Sequence, residues 1–479
     1  MKAIFGRVSN DLEKEVKTMS TNALDQEAEF ELARRKRALE FCHDPNRPDE
    51  TVSKDPYLSP EYARLEAERL WPKVWQIACR LEEIPKVGDY VEYTIVHDSI
   101  IVVRTGPDTI KAYFNVCQHR ARKLVNGVGN TRTFYCKNHG WTWNLDGKCQ
   151  KLVDEYDWAS LRKEDVPLQQ VKVDTWGGWV FVNMDPEAEP LLDYLAPVPE
   201  YLKPYELERM RFTWYKTIRV DCNWKTTLDA FLEQYHVPTV HYQAAPYSDT
   251  YAVSYKHGRH SHFGFTPDTR PVGVPPHQTE EEAAAARDPR VTVEELMALT
   301  GDGLQAMWSP RMFEQGQHLQ DLPKGMSHNE VYAALVARVQ KLAAEEGSGG
   351  ATVTFEDMAK VGTLWHVFPN HSFLPTNDGA IAYRFRPNGD DPHSMIADLW
   401  GLAHCAPGKE PAWKREYSDR WETSTVPWML KQDYSNVEEV HAGMRSRGLS
   451  KVRVNPVQEA NISNYHHTLR QYLFGEKAG

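Results

Sequence analysis

One stretch constrains this chain more than any other: CQHRARKLVNGVGNTRTFYCKNHGW, from Cys117 to Trp141. It sets a Cys-x-His pair and a Cys-x-x-His pair on either side of 16 residues, between His119 and Cys136. Thiolates and imidazoles select soft and borderline metals. The seven cysteines, at 42, 79, 117, 136, 149, 222 and 405, are odd in number and form no disulfide framework. In a reducing compartment such pairs read as metal ligands. Two occupants compete. A structural zinc takes four such ligands in a tetrahedron. A two-iron, two-sulfur centre of mixed ligation takes two thiolates on one iron and two imidazoles on the other. Zinc fingers usually pair like with like, whereas here each loop carries one Cys and one His, one ligand per iron per loop. Both pairs also follow β-type runs (KAYFNV, TRTFY), with no finger helix between them. Gly140 and Trp141 then suit a tight turn and an aromatic cover.

The rest of the chain bounds what that centre can serve. Its 479 residues allow several domains, and a formal charge of −11 argues against a nucleic-acid partner. The basic cluster ARRKRALE is explained by a helix face. No apolar run reaches the roughly 18 residues of a membrane span. The opening MKAIFGRVSNDLEKEVK has too short an apolar core for a signal peptide, so a cytoplasmic location is expected. No P-loop and no Gly-x-Gly-x-x-Gly follows a strand, so neither NAD nor flavin is expected on this chain. Patterning divides it into three parts. Residues 1–72 read as a charged helical segment, and residues 73–186 as a small all-β domain. Residues 187–479 read as an α+β domain, with strands such as TWYKTIRV and AIAYRFRP and helices such as KTTLDAFLEQYH and HNEVYAALVARVQKLAAEEG. Residues 245–350 contain, besides that last helix, long polar loops and the acidic run TEEEAAAARD.

A second constellation lies in DCNWKTTLDAFLEQYHVPTVHYQ, Asp221 to Gln243. Glu233 and His236, three apart, share a helical face. His241 falls off that face, but Pro238 disturbs the helix and can swing it back. Two imidazoles and one carboxylate form the facial triad of non-haem iron(II) sites, which leaves positions open for dioxygen. An ordinary amphipathic helix explains the same spacing, and HVFPNH (His366, His371) repeats it without any such context.

The two stretches together resemble the Rieske non-haem iron aromatic-ring-hydroxylating oxygenases, terminal-oxygenase alpha subunit. CQHR and CKNHGWTWNLDG are similar to the Rieske loops. NWK followed by EQYHVPTVH is similar to the catalytic-iron motif, and KQDYSNVEEVHAGMRS to the late helix that brings the third ligand. The similarity runs from about Val74 to Gly448, and departs at Ala121, where the family has Gly. It implies an all-β Rieske domain, then a helix-grip-like (START-type) catalytic domain with an antiparallel sheet, behind N-terminal helices. Cys117 and Cys136 would hold one iron of a [2Fe-2S] cluster, and His119 and His139 the other. His236, His241 and Asp433 would hold a mononuclear Fe(II), with Glu438, Glu439 and Asp398 as rivals to Asp433. Glu233 would bridge His236 to a cluster histidine of the neighbouring subunit in a head-to-tail homotrimer, with Asp229 as the alternative and a small beta subunit as a possible addition. Electrons would come from an NAD(P)H-dependent reductase, directly or through a ferredoxin. The implied activity is cis-dihydroxylation or monooxygenation, O- or N-demethylation included. Apolar neighbours of the ligands (Leu228, Phe231, Leu232, Val237, Val240) point to an aromatic or polycyclic substrate, with an Arg of 251–320 for any carboxylate. Trp365, Phe368 and Phe373 are candidate pocket walls. A zinc-stabilised or electron-transfer binding protein is the reading from another class.

Overall fold

The computed structural model describes residues 51–475 apart from 267, 268, 276 and 277. The helical reading of residues 1–50 lies outside it. The strand β1 (Thr51–Ser53) opens the described chain and pairs antiparallel with β20 (Lys451–Arg453), so the segment before residue 73 is not wholly helical.

The β-type runs after Val74 form a seven-stranded sheet. In chain order its strands are β2 (Gln76–Arg80), β3 (Asp89–Ile95), β4 (Asp98–Gly106), β5 (Thr109–Phe114), β6 (Val128–Asn130), β10 (Gln170–Trp176) and β11 (Trp179–Asn183). Their spatial order is β2-β11-β10-β5-β4-β3-β6. A separate three-stranded sheet holds β7 (Thr133–Tyr135), β8 (Thr142–Asn144) and β9 (Cys149–Lys151). Cys117 follows the end of β5, and Cys136 follows β7 directly. The two ligand loops therefore leave different sheets, and a small core containing Tyr113, Phe134, Trp141 and Trp143 lies around them.

The second domain is built on an eight-stranded sheet: β12 (Met210–Val220), β13 (Val253–His257), β14 (His260–Gly264), β15 (Leu364–Val367), β16 (His371–Pro375), β17 (Gly379–Asn388), β18 (Asp391–His404) and β19 (Arg415–Ser418). The order is β13-β14-β15-β16-β17-β18-β12-β19. It is antiparallel as expected, except that the edge strand β19 runs parallel to β12. Five longer helical elements matter here: α1 (Trp224–Ala230), α2 (Pro289–Leu304), α3 (His328–Glu346), α4 (Trp428–Met444) and α5 (Ala460–Phe474). Within 245–350, α3 is the helix read from HNEVYAALVARVQKLAAEEG, whereas α2 stands where long polar loops were expected. TEEEAAAARD starts a helix whose Thr279 and Glu282 form a capping box, the reciprocal side-chain bonds that satisfy free N–H groups at a helix start.

One hydrophobic core runs through both domains, from Trp71 and Trp179 to Trp365 and Trp400. Trp365, Phe368 and Phe373 are all fully buried in it, which answers their candidacy as pocket walls in favour of packing. His371 lies there too, against Trp179 and Phe373. No helix of the described residues is long and apolar enough to cross a membrane.

Candidate active site with two metal centres

The two cluster loops share one backbone design. The carbonyl of Cys117 accepts from the N–H of Ala121 at 3.0 Å, and that of Cys136 from Gly140 at 2.9 Å. Each Cys N–H in turn donates five residues ahead, Cys117 to Arg122 at 2.9 Å and Cys136 to Trp141 at 2.8 Å. Closing each turn needs a left-handed residue four after the Cys. Gly140 takes φ 78° and Ala121 φ 60°. The Cys thiols are buried side by side. Burial pushes the Cys117 thiol above its ordinary value, against the N–H groups of His119 and Arg120, which favour the thiolate. The two imidazoles meet at 4.6 Å between ring centres, and His119 stacks on Trp141 at 4.8 Å. His119 Nδ1 is buried with no protein partner among the described residues, while His139 is exposed. Thus the thiols pair with each other and the imidazoles with each other. Among the described residues, only His236, His241 and Asp433 bring three ligand atoms within 4.8 Å of one another. A single tetrahedral ion would draw all four Cys and His ligands together in that way. The arrangement fits a two-iron cluster and not zinc.

The second site departs from the helical reading. α1 stops at Ala230, and Glu233 lies in an irregular turn. His236 and His241 flank a separate single helical turn, Val237–Val240, with Pro238 in its first turn. Pro suits that position because its missing N–H is not needed there. The single turn returns the chain so that the rings lie 5.3 Å apart, centre to centre. Asp433 comes from α4. Its place is set by the buried stripe Met429, Leu430, Asp433, Tyr434, Val437, His441 and Met444, spaced by three and four. Asp433 Oδ1 lies 3.0 Å from His241 Nε2 and 3.6 Å from His236 Nε2.

Each imidazole is held from behind. Glu233 Oε1 lies 2.7 Å from His236 Nδ1, and Glu233 Oε2 accepts the His236 backbone N–H at 3.0 Å. Gln432 Oε1 lies 3.0 Å from His241 Nδ1. Both acceptors place the proton on Nδ1 and leave Nε2, on the Asp433 side, as a lone-pair donor. Burial alone would lower the His236 value. The charge of Glu233 and its hydrogen bond, with Asp433 behind them, override this and raise it to about 9. His241 is raised likewise, against burial, by Asp433 and Gln432.

The rival acids are engaged elsewhere. Glu438 accepts the Asp221 N–H at 2.9 Å, and Glu439 is exposed. Asp398 is buried between Arg384 and Arg386. Asp229, the alternative bridge, accepts from Tyr57 Oη at 2.5 Å and lies 3.3 Å from His466 Nε2. Leu228, Phe231 and Leu232 belong to the core, and Phe231 packs on Tyr383 at 4.7 Å. Arg259, Arg287, Arg290 and Arg311 of the 251–320 segment pair with Glu189, Glu295, Asp288 and Asp378. Sequence reasoning missed two residues. Gln432 was signalled only by its adjacency to Asp433. Glu459, raised to about 7 by burial, carries the charges of Glu233 and Asp229 nearby and was not signalled at all.

A mixed-ligand cluster site ahead of a two-His-one-carboxylate site in the same chain defines the Rieske non-haem iron oxygenase class. The comparisons agree. Residues 74–161 match the Rieske [2Fe-2S] domain, and residues 207–475 match the ring hydroxylating alpha subunit catalytic domain. The chain belongs to the ring-hydroxylating alpha-subunit family. Choline monooxygenase of Beta vulgaris is 30% identical over 226 residues, 45% of this chain and 51% of the relative. The carnitine monooxygenase oxygenase subunit of Escherichia coli K12 is 30% identical over 204 residues, 41% and 53% of the two chains. The matched part thus spans about half the length of these curated relatives. Among solved structures, a quaternary ammonium Rieske monooxygenase overlays with TM-score 0.61 at 19% identity, covering 90% of this chain and 97% of that one. Naphthalene 1,2-dioxygenase from Rhodococcus sp. overlays with TM-score 0.61 at 20% identity, covering 93% and 99%. At those identities the overlays speak for the fold.

Proposed function

We propose that this chain is the terminal oxygenase of a multicomponent system, and that it uses dioxygen and electrons from a partner reductase or ferredoxin to oxidise a small methylated quaternary ammonium compound. The observation that carries the reading is the convergence of His236, His241 and Asp433, with both imidazoles held at Nδ1. Cys117, Cys136, His119 and His139 would hold the [2Fe-2S] cluster. His236, His241 and Asp433 would hold the iron. Iron bound there supplies dioxygen activation, and the cluster supplies single electrons. The residues do the rest. Glu233 fixes the His236 tautomer and, reached by His139 of a neighbouring subunit, forms the hydrogen-bonded link between centres in a head-to-tail homotrimer. Gln432 fixes His241. His139, exposed at the tip of its loop, is the group free to meet that neighbour.

The substrate class rests on the named activities of the relatives, choline and carnitine monooxygenases, and on charge. A chain of net −11 favours a cationic substrate over an anionic one. The aromatic reading loses its main support because Leu228, Phe231 and Leu232 are core residues. The test is metal analysis and turnover. About three iron and two labile sulfides per chain are expected. With a compatible reductase, choline, carnitine or glycine betaine should be consumed with dioxygen while naphthalene and biphenyl are not. Asp433→Ala should abolish turnover and leave the cluster absorbance intact. Full activity in that variant removes Asp433 from the ligand set.

A further inference from the structure

Between the two domains lies a cavity of about 300 Å³ that the proposed reaction does not use. Ala78, Val91 and Thr94 of the cluster domain line one side, and Arg384, Arg386 and Arg415 of the catalytic sheet line the other. Two carboxylates face these guanidiniums. Asp398 Oδ2 accepts from Arg384 Nε at 2.9 Å, Arg384 Nη2 at 2.7 Å and Arg386 Nε at 3.0 Å. Asp398 Oδ1 accepts from Thr217 at 2.8 Å. Glu83 accepts from Arg415 Nη2 at 2.6 Å. Glu92 also lines the cavity but is held by Lys123, Ser99 and the Gly127 N–H. Three guanidiniums against Asp398 and Glu83 leave one positive charge in excess. The donors left over are specific. Arg384 spends its third nitrogen on the carbonyls of Ile77 and Ala78, and Arg386 Nη1 donates to Thr94. Arg386 Nη2 and Arg415 Nε and Nη1 have no acceptor among the described residues.

We propose that this cavity binds a small organic monocarboxylate. A carboxylate presents two coplanar oxygens that match the fork of a guanidinium, and one negative charge balances the excess. Ile396 and the exposed ring of Tyr417 offer an apolar wall for the organic body. A phosphate dianion would overshoot the charge and leave that wall unused. Because the walls belong to both domains, the ligand would tie the cluster domain to the catalytic sheet. The site is separate from the proposed substrate chemistry and does not depend on it.

The test is calorimetric titration of the full-length holoprotein with sodium benzoate, and in parallel with inorganic phosphate, at fixed ionic strength. Saturable benzoate binding is expected, with phosphate weaker. Arg415 lies on the edge strand β19 with its side chain 34% exposed, so Arg415→Gln should fold; it should weaken benzoate about tenfold or more, ~1.4 kcal/mol. Tyr417→Glu, at an exposed lining position, should weaken benzoate through charge even if Arg415→Gln fails to fold. His241→Ala should leave benzoate affinity unchanged. No saturable binding, phosphate tighter than benzoate, unchanged affinity in the folded Arg415→Gln or Tyr417→Glu variants, or loss of binding in His241→Ala each overturns the assignment.

Discussion

Ala121 carries a left-handed backbone that a Cβ makes costly, at roughly 1–2 kcal/mol per residue. The matching position on the other loop is Gly140. Replacing Ala121 by Gly keeps the turn and removes that cost, offset in part by the greater freedom Gly has when unfolded. The expected outcome is a holoprotein about 0.5–1 kcal/mol more stable with an unchanged cluster spectrum, read by thermal unfolding. Gly140→Ala should destabilise, since its Cβ would meet Val153 Cγ2 at 3.2 Å on a φ of +78°. At this scale the sequence was most legible. The candidate ligands stand out because metal chemistry admits few side chains. The acceptors behind them were not, because Gln432 and Glu459 are ordinary polar residues until the fold aims them. The proton on His236 gives a second prediction. In the metal-free chain its value of about 9 exceeds the ordinary 6.5. The stability it contributes is complete below about 6.5 and fades as pH rises through about 9. Iron must displace that proton, so ferrous affinity of the metal-free chain should rise about tenfold from pH 7 to pH 8. A flat profile contradicts the Glu233–His236 pairing.

Helix α1 shows why element boundaries were harder to read than residues. KTTLDAFLEQYH contains no helix breaker, and the sequence reading carried the helix through His236. Tertiary contacts end it instead: Tyr57 and His466 draw Asp229, and Phe231 packs into the Tyr383 and Phe385 rings. Its start is fixed by Asn223, whose side chain accepts the Lys225 N–H at 3.1 Å. Lys225 is fully buried and pairs with Glu66 at 2.7 Å, tying the segment before β2 to the element that leads into the iron site. Removing one partner strands a buried charge. Lys225→Met should therefore cost about 3–5 kcal/mol in denaturant unfolding. Glu66→Leu combined with Lys225→Met should cost clearly less than Lys225→Met alone, because two apolar groups leave no charge unpaired. Additive losses would mean the pair is not coupled.

At the scale of the whole molecule, the order of an all-β cluster domain and then an α+β domain was legible from the short β-type runs after Val74 and the mixed strand and helix patterns beyond residue 187. The eight-stranded order was not, because β12 pairs with β18 and β19, some 180 to 200 residues further on. The proposed trimer lies at this scale too, and mixing tests it. Cys136→Ser chains keep His236, His241 and Asp433 but lose the cluster. Asp433→Ala chains keep the cluster but lose the iron. Alone, each should be inactive. If electrons cross from one subunit's His139 to the next subunit's Glu233, co-expressed chains should recover activity wherever an intact iron site follows an intact cluster. In a closed head-to-tail ring assembled at random from equal amounts, half the chains hold iron and half of those meet a competent neighbour. About a quarter of wild-type turnover per chain is expected. Transfer confined within one chain predicts none, since no single chain in the mixture holds both centres. Rescue that is lost when Glu233→Gln is added to the Cys136→Ser chain, but persists when the same change is added to the Asp433→Ala chain, would place the bridge on the iron-holding side of the junction.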